Sequence, residues 1–351
     1  MKKDVKSKPA SARGGMTDEE LRLDQSSRSR DLDVRAEVAE NPHAAARTLE
    51  KLSRDRSLWV RRGVARNPST PVEVLVNLSD DKKLEVRSDV GDNPRTPAKV
   101  LDKLGRDDEW LIRRAVAENT ATPVKTLERL IRDHEWQVRR SVAENPRTSA
   151  RVLDKLSRDG DPDVMASVAE NPRLPVEILA RMSDDPEGIV RMGVAQNVNC
   201  PVSLLEKLFG DEDAQVRSIV ASNPNIPAET LIEMSAHRDS DVRANVAWNP
   251  NCPAEILAKL SRDASETVRR AVASNRNADA ETLDKLSRDE SEEVSSSVAY
   301  NPAASLETLE RLIEEHKDDP DYEDNSFIMD NYEEKKRAAA SKTPEEPTDE
   351  P

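Results

Sequence analysis

Asparagine returns at an interval of 26 residues in this chain, at positions 41, 67, 93, 119, 145, 171, 197, 223, 249, 275 and 301, with no insertion between any two. A register kept over eleven copies leaves room for little except a stack of equal units, because each unit must meet its neighbours in the same way. Val stands three residues before every one of these asparagines, and Val or Ile seven before. Leu stands eight residues after each, and Leu or Met eleven after. Spacings of three and four place these side chains on one helical face, and no stretch alternates with the period of two that a strand needs. Each unit therefore reads as two short helices.

Punctuation fits the same division. A Pro follows the Asn in eight units and excludes helical angles at the residue before it, so the first helix should stop there. The first helix is expected to open about eleven residues before the Asn, capped by an Asp such as Asp55, Asp107, Asp133, Asp159, Asp263 or Asp289, with Glu266 and Glu292 completing a capping box. Pro also stands four residues after the Asn in seven units, where it suits the first position of the second helix. Thr70-Pro71-Val72-Glu73 reads as cap, proline and box together. One unit buries five or six small aliphatics, at roughly 1.5–3 kcal/mol each. Ordering its residues costs on the order of 1–2 kcal/mol apiece, so no unit folds alone and stacking is obligatory.

Outside the array, residues 1–16 are basic and rich in Ser, Ala and Gly, a composition that predicts disorder. Thr17-Asp18-Glu19-Glu20 predicts a capping box opening a half-unit that covers the first repeat, so the solenoid is assigned to residues 17–313 with the repeats over 31–313. Residues 314–351 read as an acidic, mostly disordered tail. The alternative there is a short docking motif around Tyr322, Phe327, Ile328, Met329 and Tyr332.

Aromatics are 3% of the residues and charged groups 35%, too thin for one deep core but suited to a narrow stack. The net charge of −15 is uneven: residues 1–30 carry 8 basic and 5 acidic groups, 31–160 carry 26 and 23, 161–313 carry 15 and 27, and 314–351 carry 5 and 14. That balance argues against a nucleic-acid binder over the whole length. The start of the chain has no apolar stretch behind its basic residues, and no run approaches a membrane span, so a cytoplasmic location and a monomer are the expectations. Cys200 and Cys252 each replace a Thr two units apart, about 20 Å from one another for helices packed at ordinary spacing, and so are expected as packed thiols. His43, His134, His237 and His316 show no metal-ligand spacing, and no phosphate loop or nucleophile–base pair is present, so neither cofactor nor metal is expected.

The running pattern V-R-x-x-V-A-x-N-P-x-T-P-x-x-x-L-x-x-L-S-x-D, seen in Arg139, Val142, Ala143, Asn145, Pro146, Leu153, Leu156 and Asp159, resembles the leucine-rich repeat variant family. The resemblance covers about residues 31–313. It implies an all-α, right-handed superhelical solenoid, here of eleven 26-residue two-helix repeats, in which an α-helix alternates with a shorter α or 3₁₀ helix and no β-sheet forms. The Asp-then-Val-Arg spacing is also similar to HEAT and armadillo-type repeats. Some members of the variant family hold an iron–sulfur cluster through N-terminal cysteines; this chain has no cysteine before Cys200, so that property does not transfer.

Two kinds of candidate site remain. An Arg six residues before the Asn recurs nine times, Arg61, Arg87, Arg113 and Arg139 among them, and reads as a ladder bridging to an Asp or to loop carbonyls next door. The asparagines, including Asn67, Asn93, Asn119 and Asn145, read as structural, each closing the turn after its helix by bonding its own downstream backbone. More distinctive are Trp59 with Arg62, Trp110 with Arg114, and Trp136 with Arg140, three or four residues apart on the outward stripe of the first helix. Trp and Arg dominate binding hot spots, so this stripe is the candidate surface for a protein partner or extended peptide on a non-enzymatic scaffold. Trp248 and Tyr300 form a weaker second patch. The alternative is binding of nucleic acid or another polyanion through the Arg rows of the N-terminal half.

Overall fold

The computed structural model describes residues 17–315 and 326–340. Every described element is an α-helix, and no strand occurs among the described residues. Each repeat supplies a first helix of eight or nine residues that ends at the residue before its Asn or the one before that, as in Trp110–Glu118, Gly188–Gln196 and Glu292–Ala299. A second helix follows, usually of seven residues, such as Val124–Leu130 or Ala254–Leu260. The second helices are α rather than 3₁₀.

The chain divides into two compact units, one ending at Arg173 and one beginning at Leu174. In each, the chief packing is between the first helices of successive repeats, and each first helix also rests on the second helices beside it. The Val three before each Asn and the Leu eight after it are all buried, most of them completely. These two positions are the seam the periodicity marks out. Gly91, which stands where the other repeats have Ala, shows how tight it is: a Cβ there would come within 3.1 Å of the Ala115 Cβ.

Helix boundaries differ from the sequence reading in two respects. The first helix starts about nine residues before the Asn, and its cap is the residue ten before, for example Asp161, Asp213 or Asp239, whose carboxylates accept backbone N–H groups of the first turn. The Asp twelve before the Asn lies outside the helix. Asp55 accepts the Ser57 N–H at 2.8 Å, forming a turn ahead of the cap. Glu266 and Glu292 sit at the first helical position and close no box. The second correction concerns proline. Pro71 is the cap residue of Val72–Leu78, with ψ 147°, and Thr70 donates instead to the Val64 carbonyl at 2.6 Å.

The ends of the array are covered. Thr17 caps Asp18–Ser26 with a complete box, its hydroxyl accepting from the Glu20 N–H while the Glu20 carboxylate accepts from Thr17. Asp24 of that helix is buried against Arg28, Arg47 and Thr48. The basic segment 1–16 lies outside the described residues. Within 314–351, read above as a mostly disordered tail, residues Ser326–Ala340 form a helix, while 316–325, with Tyr322, and 341–351 lie outside the described residues. Ile328 is buried, and the Asn331 amide donates to the carbonyls of Ala299 and Asn301 at 2.9 and 3.2 Å. An apolar side chain and an amide that finds two end-facing carbonyls give this segment the order its composition hides. Asn331→Ala should therefore leave the Ala299 carbonyl without this donor and the Asn301 carbonyl with only the Ala304 N–H, at roughly 1–3 kcal/mol. Amide hydrogen exchange should accelerate across 326–340 well before the global melting temperature falls; unchanged exchange would contradict the capping role.

Candidate functional site

Three rails of polar bonds run along the seams. In the first, Arg113 donates through Nε and Nη2 to Asp133 at 2.6 and 2.8 Å, and through Nη1 to the carbonyls of Asp107 and Asp108 at 2.8 Å each. Arg61 meets Asp81, Arg87 meets Asp107 and Arg139 meets Asp159 in the same forked geometry. Arg191, Arg243 and Arg269 repeat it in the second unit. The planar guanidinium suits this task because it spends its donors on one carboxylate and the loop beside it. Burial pushes the carboxyls of Asp55, Asp81, Asp107 and Asp211 up, but the Arg hydrogen bonds and a backbone N–H outweigh it and hold each below the ordinary Asp range.

The second rail is the asparagine column. Each Asn closes its own turn, as the Asn145 Oδ1 does by accepting the Arg147 N–H at 2.9 Å. The same side chain also reaches back to the preceding repeat: Asn145 Nδ2 donates to the Ala117 and Asn119 carbonyls at 2.6 and 3.1 Å. Asn67, Asn93 and Asn119 do likewise, and all four are buried. Sequence reading missed this half of the residue. The available signal was that Asn persists where Thr120, Val198 or Arg276 replaces the proline, which a turn alone does not demand. In the third rail, Thr70, Thr96, Thr122 and Thr148 each donate to the carbonyl of the Val six residues earlier at 2.6 Å. Cys200 and Cys252 occupy this Thr position as buried free thiols, and burial pushes each up to about 11.

With the seams occupied, choice is left to the outward face of the first helices. In the first unit Trp59 is 58% exposed with the Arg62 guanidinium 5.4 Å from its ring centroid. Arg62 and Arg66 both pair with the buried Asp89, at 2.7 and 2.8 Å, which holds Arg62 in place over the indole. Trp110 is half-buried under Arg114 at 5.7 Å, and Arg114 also pairs with Glu118. Trp136 is half-buried too, while Arg140 pairs with Glu144 at 2.7 Å. The three indoles are therefore not equally presented. Beside them Asp92, Glu118, Glu144 and Glu170 stand one residue before successive asparagines. Surrounding protein displaces water from the Asp92 carboxyl, although part of the residue stays open, and with Glu118 and Asp89 nearby it is pushed up to about 6. Burial and then Glu144 raise Glu170.

In the second unit the same face carries an apolar patch with polar groups around it. Trp248 is 49% exposed and borders a groove of about 440 Å³ with Met192, Ile219 and Ala244, on the first helices of three successive repeats. Tyr300 is exposed two repeats after Trp248. The sequence signal for the groove was Met192, at a position that holds Arg, Ser or Ala in every other repeat, and Ile219, at one that is small or polar in every other repeat. Among the described residues no cluster of His, Cys, Asp and Glu suits a metal, and no helix is long and apolar enough to cross a membrane. A wider cleft of about 850 Å³ opens between repeats three to five, with Arg106, Lys125, Arg132 and Lys155 interleaved with Asp107, Asp108 and Glu128.

Two-helix units held in register by internal polar rails define a helical repeat protein. Family models described as leucine rich repeat variant match residues 58–82, 136–163, 162–187 and 266–291, and one described as a leucine rich repeat variant domain matches residues 217–276. A solved leucine-rich repeat variant with a novel repetitive structural motif is 30% identical, over 63% of this chain and 87% of that one, with a TM-score of 0.42. The chain belongs to the leucine-rich repeat variant family. An engineered protein matches at 15% identity over 91% of this chain and 98% of its own, TM-score 0.30. YibA of Escherichia coli matches at 14% identity over 94% and 99%, TM-score 0.29. Comparison with curated proteins gives no match.

Proposed function

We propose that the chain is a non-enzymatic scaffold that binds a protein or an extended peptide on the outward face of its first helices. The observation that carries this reading is the exposure of Trp59 and Trp248 on a face whose neighbouring seams are filled by regular internal bonds. Large exposed aromatics cost solubility, and they are the side chains from which partners draw most binding energy. Arg62 and Arg114, held over their indoles by Asp89 and Glu118, enlarge that surface with groups already ordered before binding. Trp136 and Arg140 extend it less, since the indole is half-buried.

Polyanion binding through the Arg rows fits the geometry less well. Arg61, Arg87, Arg113 and Arg139 spend their donors on carboxylates and loop carbonyls, which leaves little to grip a phosphate. The test is affinity capture of partners by the full chain, compared with Trp59→Ala/Trp110→Ala and with Trp248→Ala. Loss of the same partners on exposed-face substitution, with helical content and melting temperature unchanged, supports the scaffold. A partner set indifferent to all three substitutions, or one retained only through nucleic acid and lost on nuclease treatment, overturns it.

A further inference from the structure

Trp248 differs from Trp59 and Trp110 in its surroundings. Those two each lie under an arginine, but among the described residues no ring or cation contact engages the Trp248 indole. Repeats three to six carry a carboxylate at the matching position, so nothing in the stacking of the repeats requires an aromatic there. The groove it borders contains two carboxylates, Asp239 and Asp241, and no Lys or Arg. Asp239 is committed as a helix cap, accepting the Asp241 N–H at 3.0 Å, whereas the exposed Asp241 carboxylate enters no ion pair among the described residues. Asn245 has both amide bonds turned to Ser218, to its carbonyl at 3.0 Å and its hydroxyl at 2.6 Å, so what it has left to offer a ligand is an oxygen acceptor. On the adjoining first helix Arg269 is bound to Asp289, and the charge of Arg270 acts on the Glu293 carboxyl.

An apolar floor of Met192, Ile219 and Ala244, an unoccupied indole at its edge, and rim groups that accept hydrogen bonds or carry negative charge select one kind of occupant. It must bring a hydrocarbon or aromatic anchor, and it must bring donors and positive charge. Residues 161–313, with 15 basic and 27 acidic groups, add a long-range field of the same sign. We propose that this groove binds a short basic segment of a partner protein, with one aliphatic or aromatic side chain seated beside Trp248 and a flanking Lys or Arg paired with Asp241. The proposal rests on the scaffold reading and gives it a location and a ligand chemistry. It also moves the principal site from the Trp/Arg stripe of the first unit to the second.

The test is selection from a random dodecapeptide library displayed on phage against the full chain, followed by fluorescence anisotropy of the enriched peptides. Enriched sequences should combine Lys or Arg with one large apolar residue. Replacing that residue by Ser, or the protein's Trp248→Ala or Asp241→Lys, should each weaken binding by about tenfold or more. Both protein residues are exposed, and circular dichroism melts should show each variant folded. Enrichment of acidic peptides, equal binding by both variants, or occupation of the groove by a second copy of the chain, seen as self-association abolished by Trp248→Ala, overturns the proposal. Peptides that lose affinity with Trp59→Ala/Trp110→Ala but not with Trp248→Ala overturn it while leaving the scaffold reading intact. If no peptide is enriched, this proposal fails, and the scaffold reading is judged separately by partner capture.

Discussion

Asn145→Ala is expected to destabilise the first unit by roughly 3–5 kcal/mol, because the Ala117 carbonyl and the Arg147 N–H lose their partners in a buried seam and the Asn119 carbonyl keeps only the Thr122 N–H. In a stack where each repeat touches only its neighbours, that loss falls on one joint. Thermal unfolding should broaden or split, with hydrogen exchange fastest in the repeats around 119–171. Asn145→Asp separates the two roles of the residue. Aspartate keeps the oxygen that accepts the Arg147 N–H but removes the donor and sets a negative charge against two carbonyl oxygens. It should be at least as damaging as alanine. A mild Asn145→Asp would mean that the turn alone matters.

Acid should unfold the protein through the arginine rail. Asp55, Asp81, Asp107, Asp211, Asp263 and Asp289 all have carboxyls held below their ordinary value of 3.8 in the folded chain. The unfolded chain therefore binds more protons in that range, so the stability these pairs contribute is complete above pH about 4 and is lost as pH falls through the folded values. Asp92 and Glu170 work in the opposite sense. Raised in the folded chain, Asp92 to about 6, they take up protons on folding, and their penalty fades as pH drops from about 6 toward 4. Melting temperature should thus rise slightly from pH 7 to pH 5 and fall steeply below pH 4. Asp92→Asn should raise it at pH 7 and leave it unchanged at pH 4. A flat profile between pH 5 and pH 3 would contradict the rail.

The architecture was legible because burial in a repeat leaves a periodic trace: Val142, Leu153 and Leu156 are where their spacing puts them. What spacing within one repeat does not report is a bond to the next. Asn145 looked like a turn residue because half of its bonds are local, and Asp159 looked like a cap because it lies near a helix start. Both reach across a joint, to Ala117 and to Arg139. The Trp/Arg pairs were recognisable from three- and four-residue separations, and two of the three stack as pairs. Their unequal exposure was not readable, since it depends on side chains from adjoining repeats. The groove beside Trp248 was missed for the same reason: Met192, Ile219 and Trp248 lie far apart in sequence and converge only when repeats are laid side by side.

Within each unit, Asn side chains that donate backward make the stack directional. Each repeat arrives carrying the donors its predecessor lacks and leaves two acceptors for its successor, so the deficit travels to the C-terminal edge, where Asn331 meets it. A gene for such a protein can gain or lose a whole period with every bond still matched, whereas a single inserted residue strands a donor at one joint and an acceptor at the next. The uninterrupted count of 26 is then the only spelling in which the chain can change length and remain closed at its end.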